Sequence, residues 1–581
     1  MSATKREPSA TATETSSHSR RAKLIAVLFI VIAATTVVAP MFFLGNASGH
    51  DFEFHVASWL DVAGQWREGI LYPRWAEWAN WGYGEPRFIF YPPASWILGG
   101  VLCSILPNAA APVVFIWLAL TAGGLAMWSL ARNWLSSNEA IAAGVFFLAN
   151  PYNVLLAYDR SDFSELLAVA FFPLLLLAAL RVKRAGWRNV PFLAAVFAAI
   201  WLSNAPAAVI ATYSLALLLM VAAIQSRNLR PLVVGGISMF AGWGLAAFYI
   251  VPATWEQRWV QIQQAITDDM RPNRNFIYTW GGSPEFVLFN WKVSTLAVGL
   301  ILLTAILCVL TARRRSGFPQ LWPMLVALGL ASTFLMFSAS AIFWRILPKL
   351  QFVQFPWRWL GALSVVFAFC AAAGPGLSRR RSILWIIVLV ILGATTTAIA
   401  NDTWWHTDDV ASLTDQVQSG VGYDGTDEYA PLGCDRGSLP GVPRANSDEP
   451  VPPDEPIPRF ATVDPETGTA LKTDARVSVK EWTATQRVLS ENSSREMALA
   501  LRLINYPAWS AEVDGRNATI HQLPDTAQVV LELPPGAHRI DLVFRRTTDR
   551  SVGDLISIIS LISLLGFTAS AAKRSRQPVL P

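Results

Sequence analysis

The sequence predicts a polytopic α-helical membrane protein with a small β-sandwich near its C-terminal end. Hydrophobic residues make up 53% of the 581 residues and charged residues only 15%, against about 25% in a soluble globular protein. Long apolar runs alternate with short polar ones, and basic residues cluster at the ends of the runs. This pattern is typical of proteins that cross the membrane several times, and it does not indicate nucleic-acid binding.

A helix that spans a bilayer needs about 20 predominantly apolar residues, because backbone polar groups cannot remain unpaired in hydrocarbon. We expect twelve such crossings. They lie near residues 23–44, 111–132, 138–151, 163–181, 189–204, 206–224, 231–251, 293–312, 319–341, 357–376, 382–400 and 552–572. A further apolar stretch, 93–107, is shorter and is opened by two prolines.

Clusters of arginine and lysine indicate which side each connection faces, since cytoplasmic loops carry an excess of basic residues. If 93–107 crossed the membrane, every later cluster would face outward. We therefore expect 93–107 to be a re-entrant or interfacial helix on the outer face and both termini to be cytoplasmic. The clusters are Arg20, Arg21 and Lys23; Arg181, Lys183, Arg184 and Arg188; Arg227 and Arg230; Arg313, Arg314 and Arg315; Arg379, Arg380 and Arg381; and Lys573, Arg574 and Arg576.

These crossings divide the chain into four predicted parts. They are a disordered cytoplasmic tail (1–22), a transmembrane domain (23–400) with outer loops 45–110 and 252–292, an extracytoplasmic β-rich domain (401–551), and a last helix with a cytoplasmic tail (552–581).

The third part changes composition sharply. Apolar and polar residues alternate from about Phe460 onward, for example in 475–479 and 539–544. Asp514-Gly515 and Pro534-Pro535-Gly536 interrupt the alternation. Alternation broken by such turn residues predicts antiparallel strands, and hence a β-sandwich on the outer face.

The candidate site follows the first crossing, where His50, Asp51, Glu53 and His55 fall within six residues. A carboxylate at the membrane boundary can take the proton of an acceptor hydroxyl, and Asp51 is the first candidate for that base. His50, Glu53 and His55 could position substrate or bind a divalent metal. The alternative is that Asp51 caps a helix beginning near Phe52 and that the histidines are solvated.

A second outer loop carries Asp159, Arg160, Asp162 and Glu165. Asp162 and Glu165 are three residues apart and share one face of a helix start, where carboxylates also suit the helix dipole. The functional interpretation is that Arg160 binds a phosphate and one acid assists the site. Glu165 lies slightly inside an apolar run, and ionisable residues at that depth indicate function.

A third outer element contains Arg358, which opens the tenth predicted crossing from the outside. A guanidinium at that depth can bind a lipid phosphate through charge-assisted hydrogen bonds. The alternative is that Arg358 extends along the helix to reach the lipid headgroups.

The chain resembles the GT-C superfamily of glycosyltransferases in three features. They are an acidic motif after the first helix, a long outer loop with Tyr91-Pro92-Pro93, and a helix that does not cross the membrane. More closely, several motifs resemble the bacterial membrane proteins called 6-pyruvoyl-tetrahydropterin synthase-related. These motifs are His50-Asp51 with His55, Tyr72-Pro73-Arg74-Trp75, Gly82-Tyr83-Gly84-Glu85-Pro86, Phe90-Tyr91-Pro92-Pro93, Phe355-Pro356-Trp357-Arg358-Trp359 and Asp427-Glu428-Tyr429-Ala430-Pro431. The C-terminal part, with Asn505-Tyr506-Pro507 and Leu533-Pro534-Pro535-Gly536, is similar to the outer domain of YfhO-like proteins.

The resemblance implies a multi-pass glycosyltransferase of the bacterial inner membrane. Its donor would be a polyprenyl-phosphate sugar and its acceptor an envelope glycan or glycoprotein. It implies a catalytic acid in the first outer loop and adds Arg74 and Tyr91 as candidate substrate-binding residues. Many GT-C enzymes carry two adjacent acids there, whereas an aromatic residue separates Asp51 from Glu53, so which acid is the base stays open.

Two other functions fit the sequence. Twelve crossings alone would suit a transporter or flippase for a lipid-linked saccharide, although the inner halves of the spans carry almost no charge and no repeat is visible. A non-catalytic envelope-assembly protein, whose sandwich binds polymer, would share most of these features.

Overall fold

The computed structural model describes residues 10–266, 268–374, 378–406, 408–442, 453, 455–464, 468–471 and 476–576. The α-helices are α1 Ala10–Leu44, α2 Phe52–Arg67, α3 Ala79–Gly82, α4 Arg87–Phe90, α5 Pro93–Ile105, α6 Ala111–Ala131, α7 Ser137–Leu148, α8 Pro151–Tyr158, α9 Phe163–Val169, α10 Phe172–Ala185, α11 Val190–Ser203, α12 Ala205–Ser226, α13 Arg230–Leu245, α14 Ala247–Glu256, α15 Pro284–Ala312, α16 Trp322–Leu335, α17 Ala341–Ile346, α18 Leu360–Ala373, α19 Ser378–Asp402, α20 Asp409–Ser419 and α21 Thr548–Arg576. Helix α1 begins at Ala10, so the tail predicted to be disordered is helical from that residue; residues 1–9 lie outside the described residues.

The described residues include nine helical segments long and apolar enough to cross a membrane, or up to eleven when two bent pairs each count as one span. The bent pairs are Arg230–Leu245 with Ala247–Trp259, and Trp322–Leu335 with Ser338–Ile346. One of the nine, Phe163–Ser203, has 41 residues, and as a straight helix it would be about 60 Å long. It turns at Gly186, whose φ of 58° ends α10. The described residues thus give nine to eleven candidate spans, where the sequence predicted twelve crossings.

Helix α5 has 13 residues, about 20 Å of helix, which is too short for a hydrocarbon layer of about 30 Å. It begins at Pro93, where the missing N–H of proline costs no helical hydrogen bond, and it packs along α2. This agrees with the prediction that 93–107 does not cross.

Several of the basic clusters meet at one end of the bundle. Arg314 and Arg381 both reach Glu139 Oε1, at 2.7 and 2.6 Å, and Arg184 donates to Gln320 at 2.9 Å. These basic residues therefore share one side of the bundle. The loops that carry Asp51 and Arg160 lie at the other end.

The eleven strands among the described residues are β1 Asn46–Ala47, β2 Trp405–His406, β3 Phe460–Val463, β4 Arg476–Thr483, β5 Gln486–Ser493, β6 Met497–Ile504, β7 Trp509–Val513, β8 Arg516–Ala518, β9 His521–Gln522, β10 Gln528–Leu533 and β11 Gly536–Phe544. Strands β3 to β11 form a four-stranded sheet, β3-β6-β10-β9, and a five-stranded sheet, β4-β5-β11-β7-β8. Every pairing is antiparallel. Leu501 and Leu531 of one sheet pack with Leu489 and Ile540 of the other, which gives the predicted two-layer arrangement with no closed barrel.

The core of these sheets continues into the first outer loop. Trp75, Ile89 and Phe90 are buried in the same cluster as the inner faces of the strands. The Trp75 ring lies 5.7 Å from that of Trp509 and 5.5 Å from that of Phe544. The β-rich region therefore packs against residues 75–90 and fixes that part of the loop.

Candidate active site

The loop that precedes α2 and the loop between α8 and α9 approach each other at Gly49. A Cβ atom at that position would lie 2.4 Å from the Asp159 carbonyl oxygen, so only glycine permits the contact. The Gly49 N–H donates to Ser161 Oγ at 2.9 Å, and the Asp51 N–H donates to the Arg160 carbonyl at 2.9 Å. Ser161 has a φ of 49°, a left-handed conformation that is costly for serine and often marks functional sites.

These contacts bring Asp51 onto Arg160. Asp51 stands at the N-cap position of α2, as one alternative predicted, but its side chain makes no capping hydrogen bond. Its carboxylate pairs instead with the Arg160 guanidinium. The Asp51 side chain is 33% exposed and that of Arg160 only 7%, so the pair has one open and one buried member.

Asp162 lies beneath this pair and serves two structural purposes. Its Oδ1 accepts from the Glu165 N–H at 2.9 Å and from Ser164 Oγ at 2.8 Å, which caps α9. Its Oδ2 is 3.4 Å from Arg358 Nη2 and 3.8 Å from Arg160 Nη2. Burial alone would raise the pKa of Asp162, but the two guanidinium groups lower it below its usual value, so the carboxylate is ionised.

Arg358 is not extended toward lipid headgroups. Its side chain is 5% exposed, and its Nε lies 2.9 Å from Oε2 of Glu165, which is 1% exposed. The Tyr152 hydroxyl donates to the other Glu165 oxygen. Glu165 and Arg358 are thus a paired charge inside the apolar part of the bundle.

His55 is also buried and belongs to the same group. Its Nδ1 is 3.2 Å from the Tyr91 hydroxyl, and its Nε2 is 3.8 Å from Asp162 Oδ1. Burial lowers the pKa of His55, although Asp162 and Asp51 act in the opposite direction. The expectation of a solvated histidine is therefore wrong for His55. We call Asp51, His55, Arg160, Asp162, Glu165 and Arg358 the site group.

The rim beside Asp51 consists of His50, Phe289 and Trp404. His50 is exposed, and its Nδ1 is 3.0 Å from the Asp159 carbonyl. Its ring lies 4.7 Å from that of Phe289 and 5.9 Å from that of Trp404. Strands β1 and β2 hold this corner, since the Ser48 N–H donates to the Trp404 carbonyl at 3.0 Å.

Two other residues predicted to belong to the site, Glu53 and Arg74, do not belong to the site group. Glu53 is exposed on α2. Arg74 is outside the site group, with its guanidinium 4.4 Å from the Tyr72 ring centre and with Arg550, Asp554 and Glu256 among its charged neighbours. The described residues contain no group of three His, Cys, Asp or Glu side chains placed to hold a metal ion.

Sequence reasoning missed four residues of the site. Tyr152 donates a hydrogen bond to Glu165, and Asn204 donates to Ser164 Oγ at 2.8 Å. Gly49 permits the close contact between the two loops. Lys292 Nζ lies 3.0 Å from Asp159 Oδ2 and also pairs with Asp402. Asn204 precedes Ala-Pro, a helix-start pattern that could have revealed it.

A second group of buried charges joins the outer loop to later parts of the chain. Arg87 Nε lies 2.7 Å from Glu85 Oε1, and the Thr426 N–H donates to Glu85 Oε2 at 3.0 Å. Glu77 lies 3.5 Å from Arg487 of β5. We call the clamp group Asp61, Glu77, Glu85, Arg87, Glu256, Arg487 and Arg550, all at most 3% exposed.

Asp61 and Glu256 make similar long-range contacts. Asp61 accepts from the Tyr423 hydroxyl at 2.9 Å. Glu256, at the end of α14, accepts from Arg550 of α21 at 2.8 and 2.9 Å and from the Tyr506 hydroxyl at 2.6 Å. The clamp group therefore fixes the β-rich region and the last helix to the bundle.

Several solved glycosyltransferases have folds with limited similarity to this chain. The mycobacterial arabinofuranosyltransferase AftD has 18% identity over 66% of this chain and 27% of its own, with a TM-score of 0.38. The Archaeoglobus fulgidus oligosaccharyltransferase AglB, solved with an inhibitory peptide and dolichol phosphate, has 10% identity over 67% of this chain and 56% of its own, with a TM-score of 0.39. ArnT from Cupriavidus metallidurans, solved with undecaprenyl phosphate, has 15% identity over 63% of each chain and a TM-score of 0.36.

The chain thus spans less than two thirds of each of these structures. No curated protein is similar enough in sequence to count as a relative. A family profile for the 6-pyruvoyl-tetrahydropterin synthase related domain, described as a membrane protein, matches residues 88–405, which is more than half of the chain. The chain therefore belongs to this family of membrane proteins.

Proposed function

We propose that this protein is a GT-C-type glycosyltransferase that transfers a sugar from a polyprenyl-phosphate donor to an envelope glycan or glycoprotein, with Asp51 as general base. The observation that carries the proposal is the state of Asp51. It is the open member of an otherwise buried charge cluster, and it sits beside an arginine that can bind phosphate. A base needs access to its substrate, and an anionic leaving group needs a fixed cation.

The proposed reaction uses the site group as follows. Asp51 takes the proton of an acceptor hydroxyl, whose oxygen then forms a bond to the anomeric carbon of the sugar. The bond from that carbon to the phosphate oxygen breaks, and its electron pair leaves with the polyprenyl phosphate. Arg160 stabilises the charge that develops on that phosphate.

The position of the site supports this class of donor. Asp51 and Arg160 lie where α1 and α8 end, so a ligand there would meet both a charged group and the apolar surface of the bundle. A lipid phosphate has both of these properties. A donor of this class also reaches the outer leaflet without a nucleotide.

The proposal is tested by comparing envelope glycans and polyprenyl-phosphate sugars in a deletion strain and in complemented strains. We expect loss of one glycan and accumulation of its lipid-linked donor, with rescue by wild type and not by Asp51→Asn at equal expression. Asp415→Asn, which removes an exposed outer carboxylate on α20, is the matched control and should rescue fully. Full rescue by Asp51→Asn would contradict the assignment of the base.

The proposal includes a location in the bacterial inner membrane, with the site on the outer side and both termini in the cytoplasm. Ser412 on α20 and Ser316 after α15 are exposed at opposite ends of the bundle. An impermeant maleimide should label Ser412→Cys in intact cells and should label Ser316→Cys only after lysis. The reverse pattern would contradict the proposed orientation.

A further inference from the structure

Both guanidinium groups of the site group already have an acidic partner before any donor arrives. Asp51, Asp162 and Glu165 supply three carboxylates, whereas Arg160 and Arg358 supply two guanidinium groups. Burial favours the neutral form of His55, which therefore adds no compensating charge at neutral pH. A phosphate would be repelled from this group unless one of the guanidinium groups became its partner.

Arg358 is poorly placed to make that change. It lies between Asp162 and Glu165, whose side chains are 5% and 1% exposed. Its Nη1 also donates to the Val353 carbonyl and to Gln354 Oε1, both at 3.1 Å. Releasing Arg358 would leave two carboxylates buried without their partner, at a high cost in free energy.

Arg160 differs from Arg358 in the exposure of its carboxylate partner and in the contacts that its guanidinium makes. Its partner Asp51 is one-third exposed, so that carboxylate can be solvated by water when the pair separates. The Arg160 side chain itself is buried, and among the described residues its Nε, like that of Arg358, has no hydrogen-bond partner; unlike the Arg358 Nε, it is not the atom that forms the ion pair. A guanidinium with an unused N–H has a free position for an additional acceptor.

Aromatic rings hold this guanidinium independently of Asp51. The Arg160 Cζ lies 5.2 Å from the Phe355 ring centre and 5.4 Å from that of Trp357. Asp162 Oδ2, at 3.8 Å, adds a second anchor. The guanidinium can therefore keep its place while its outer partner changes.

We infer that Asp51 and the donor phosphate compete for Arg160. In the resting protein the Asp51 carboxylate is held by Arg160 and does not engage an acceptor. When the phosphate of the donor binds Arg160, it displaces the Asp51 carboxylate, which then faces the acceptor. Base and donor are thereby coupled, and the site acts on an acceptor only when a donor is present. This inference rests on the proposed function.

The test is a double-mutant cycle on binding of undecaprenyl phosphate to the full-length protein in detergent. Asp51→Asn removes the competitor, and Arg160→Gln removes the group for which it competes. We expect Asp51→Asn to lower Kd about tenfold, which corresponds to ~1.4 kcal/mol, and Arg160→Gln to weaken binding. In the Arg160→Gln background, Asp51→Asn should change Kd by less than about twofold. This change is far smaller than the factor of ten, or ~1.4 kcal/mol, expected when Arg160 is present.

Asp415→Asn controls for loss of a negative charge at the outer face and should leave Kd unchanged. If Arg160→Gln does not fold, the cycle is run with Arg160→Lys, which keeps the charge but cannot form the guanidinium contacts. The expected coupling then has the same sign and a smaller size.

The results separate the inference from the proposed function. Equal tightening by Asp51→Asn in both backgrounds would mean simple charge repulsion, and no tightening would mean no competition. Either result overturns the exchange and leaves the transferase proposal standing. If neither wild type nor Asp51→Asn binds undecaprenyl phosphate, the donor class proposed above fails together with the exchange.

Discussion

The described part of the molecule contains the site group and the clamp group, and these two groups of buried charges differ in what surrounds them. In the clamp group, Glu85 and Glu256 are fully buried and accept from residues far along the chain, Thr426 and Arg550. In the site group, the Asp51 carboxylate is one-third exposed to water, whereas its guanidinium partner Arg160 is buried. Charged groups that are enclosed together with their partners are suited to holding parts of a protein together, whereas a group with one member open to water is suited to binding a ligand.

The largest effect on stability is expected from breaking the clamp group. Glu85→Ala leaves Arg87 buried without its carboxylate and should lower the free energy of unfolding by about 3–5 kcal/mol. Thermal unfolding in detergent measures the loss. Asp427→Asn is the matched control, since Asp427 is 72% exposed in its pair with Arg436 and should cost less than about 1 kcal/mol.

If Glu85→Ala were as stable as wild type but inactive, the division between the two groups would be wrong. Glu85 would then belong to the chemistry of the protein. Its contacts with Arg87 and Thr426 would have to be assigned a role in binding substrate.

A smaller effect is expected from the pH dependence of the clamp group. Burial raises the pKa of Glu77 to about 7 even though Arg487 acts to lower it. Between pH 4.5 and 7 the unfolded chain has already lost this proton while the folded protein keeps it, so stability falls as pH rises through that window. The fall attributable to Glu77 should not exceed about 3 kcal/mol.

Unfolding of wild type and Glu77→Gln at pH 5 and pH 7.5 measures this contribution. The stability of wild type relative to the variant should be lower at pH 7.5 than at pH 5. Glu481→Gln, an exposed residue on β4, should show no such difference. A relative stability of Glu77→Gln that does not change with pH would contradict the assignment.

The smallest effect is expected at Glu53. Asp51 contacts Arg160, whereas Glu53 is exposed on α2, so Glu53→Gln should change transfer activity by less than about threefold. Activity in membranes from the complemented strain measures this. A loss as large as that of Asp51→Asn would make Glu53 the better candidate for the base.

The membrane architecture could be predicted well because hydrophobic length and basic clusters follow from the physics of the bilayer. Asp51, Asp162 and Arg358 were recognisable because charges at the ends of apolar runs are costly and therefore conspicuous. Lys292 was missed because the eighth crossing was expected to begin at 293, whereas α15 begins at Pro284. Helix boundaries are the least reliable part of such predictions.

Contacts between distant parts of the chain could not be predicted from local patterns. Arg74 looked like a site residue because it lies in a motif of the first outer loop, but that loop folds back toward α14 and the β-rich region. Glu85 and Arg87 showed no sign of a clamp because the partner, Thr426, is 341 residues from Glu85 in sequence. Local pattern rules have no information about such pairs.

The central claim is that the site group performs sugar transfer with Asp51 as base. The direct measurement is the rate at which purified wild type and Asp51→Asn release polyprenyl phosphate from the lipid-linked sugar that accumulates in the deletion strain, with its envelope acceptor present. Loss of a general base should lower this rate at least about 100-fold, while the thermal stability of the variant stays close to that of wild type. Equal rates for the two proteins would contradict the account.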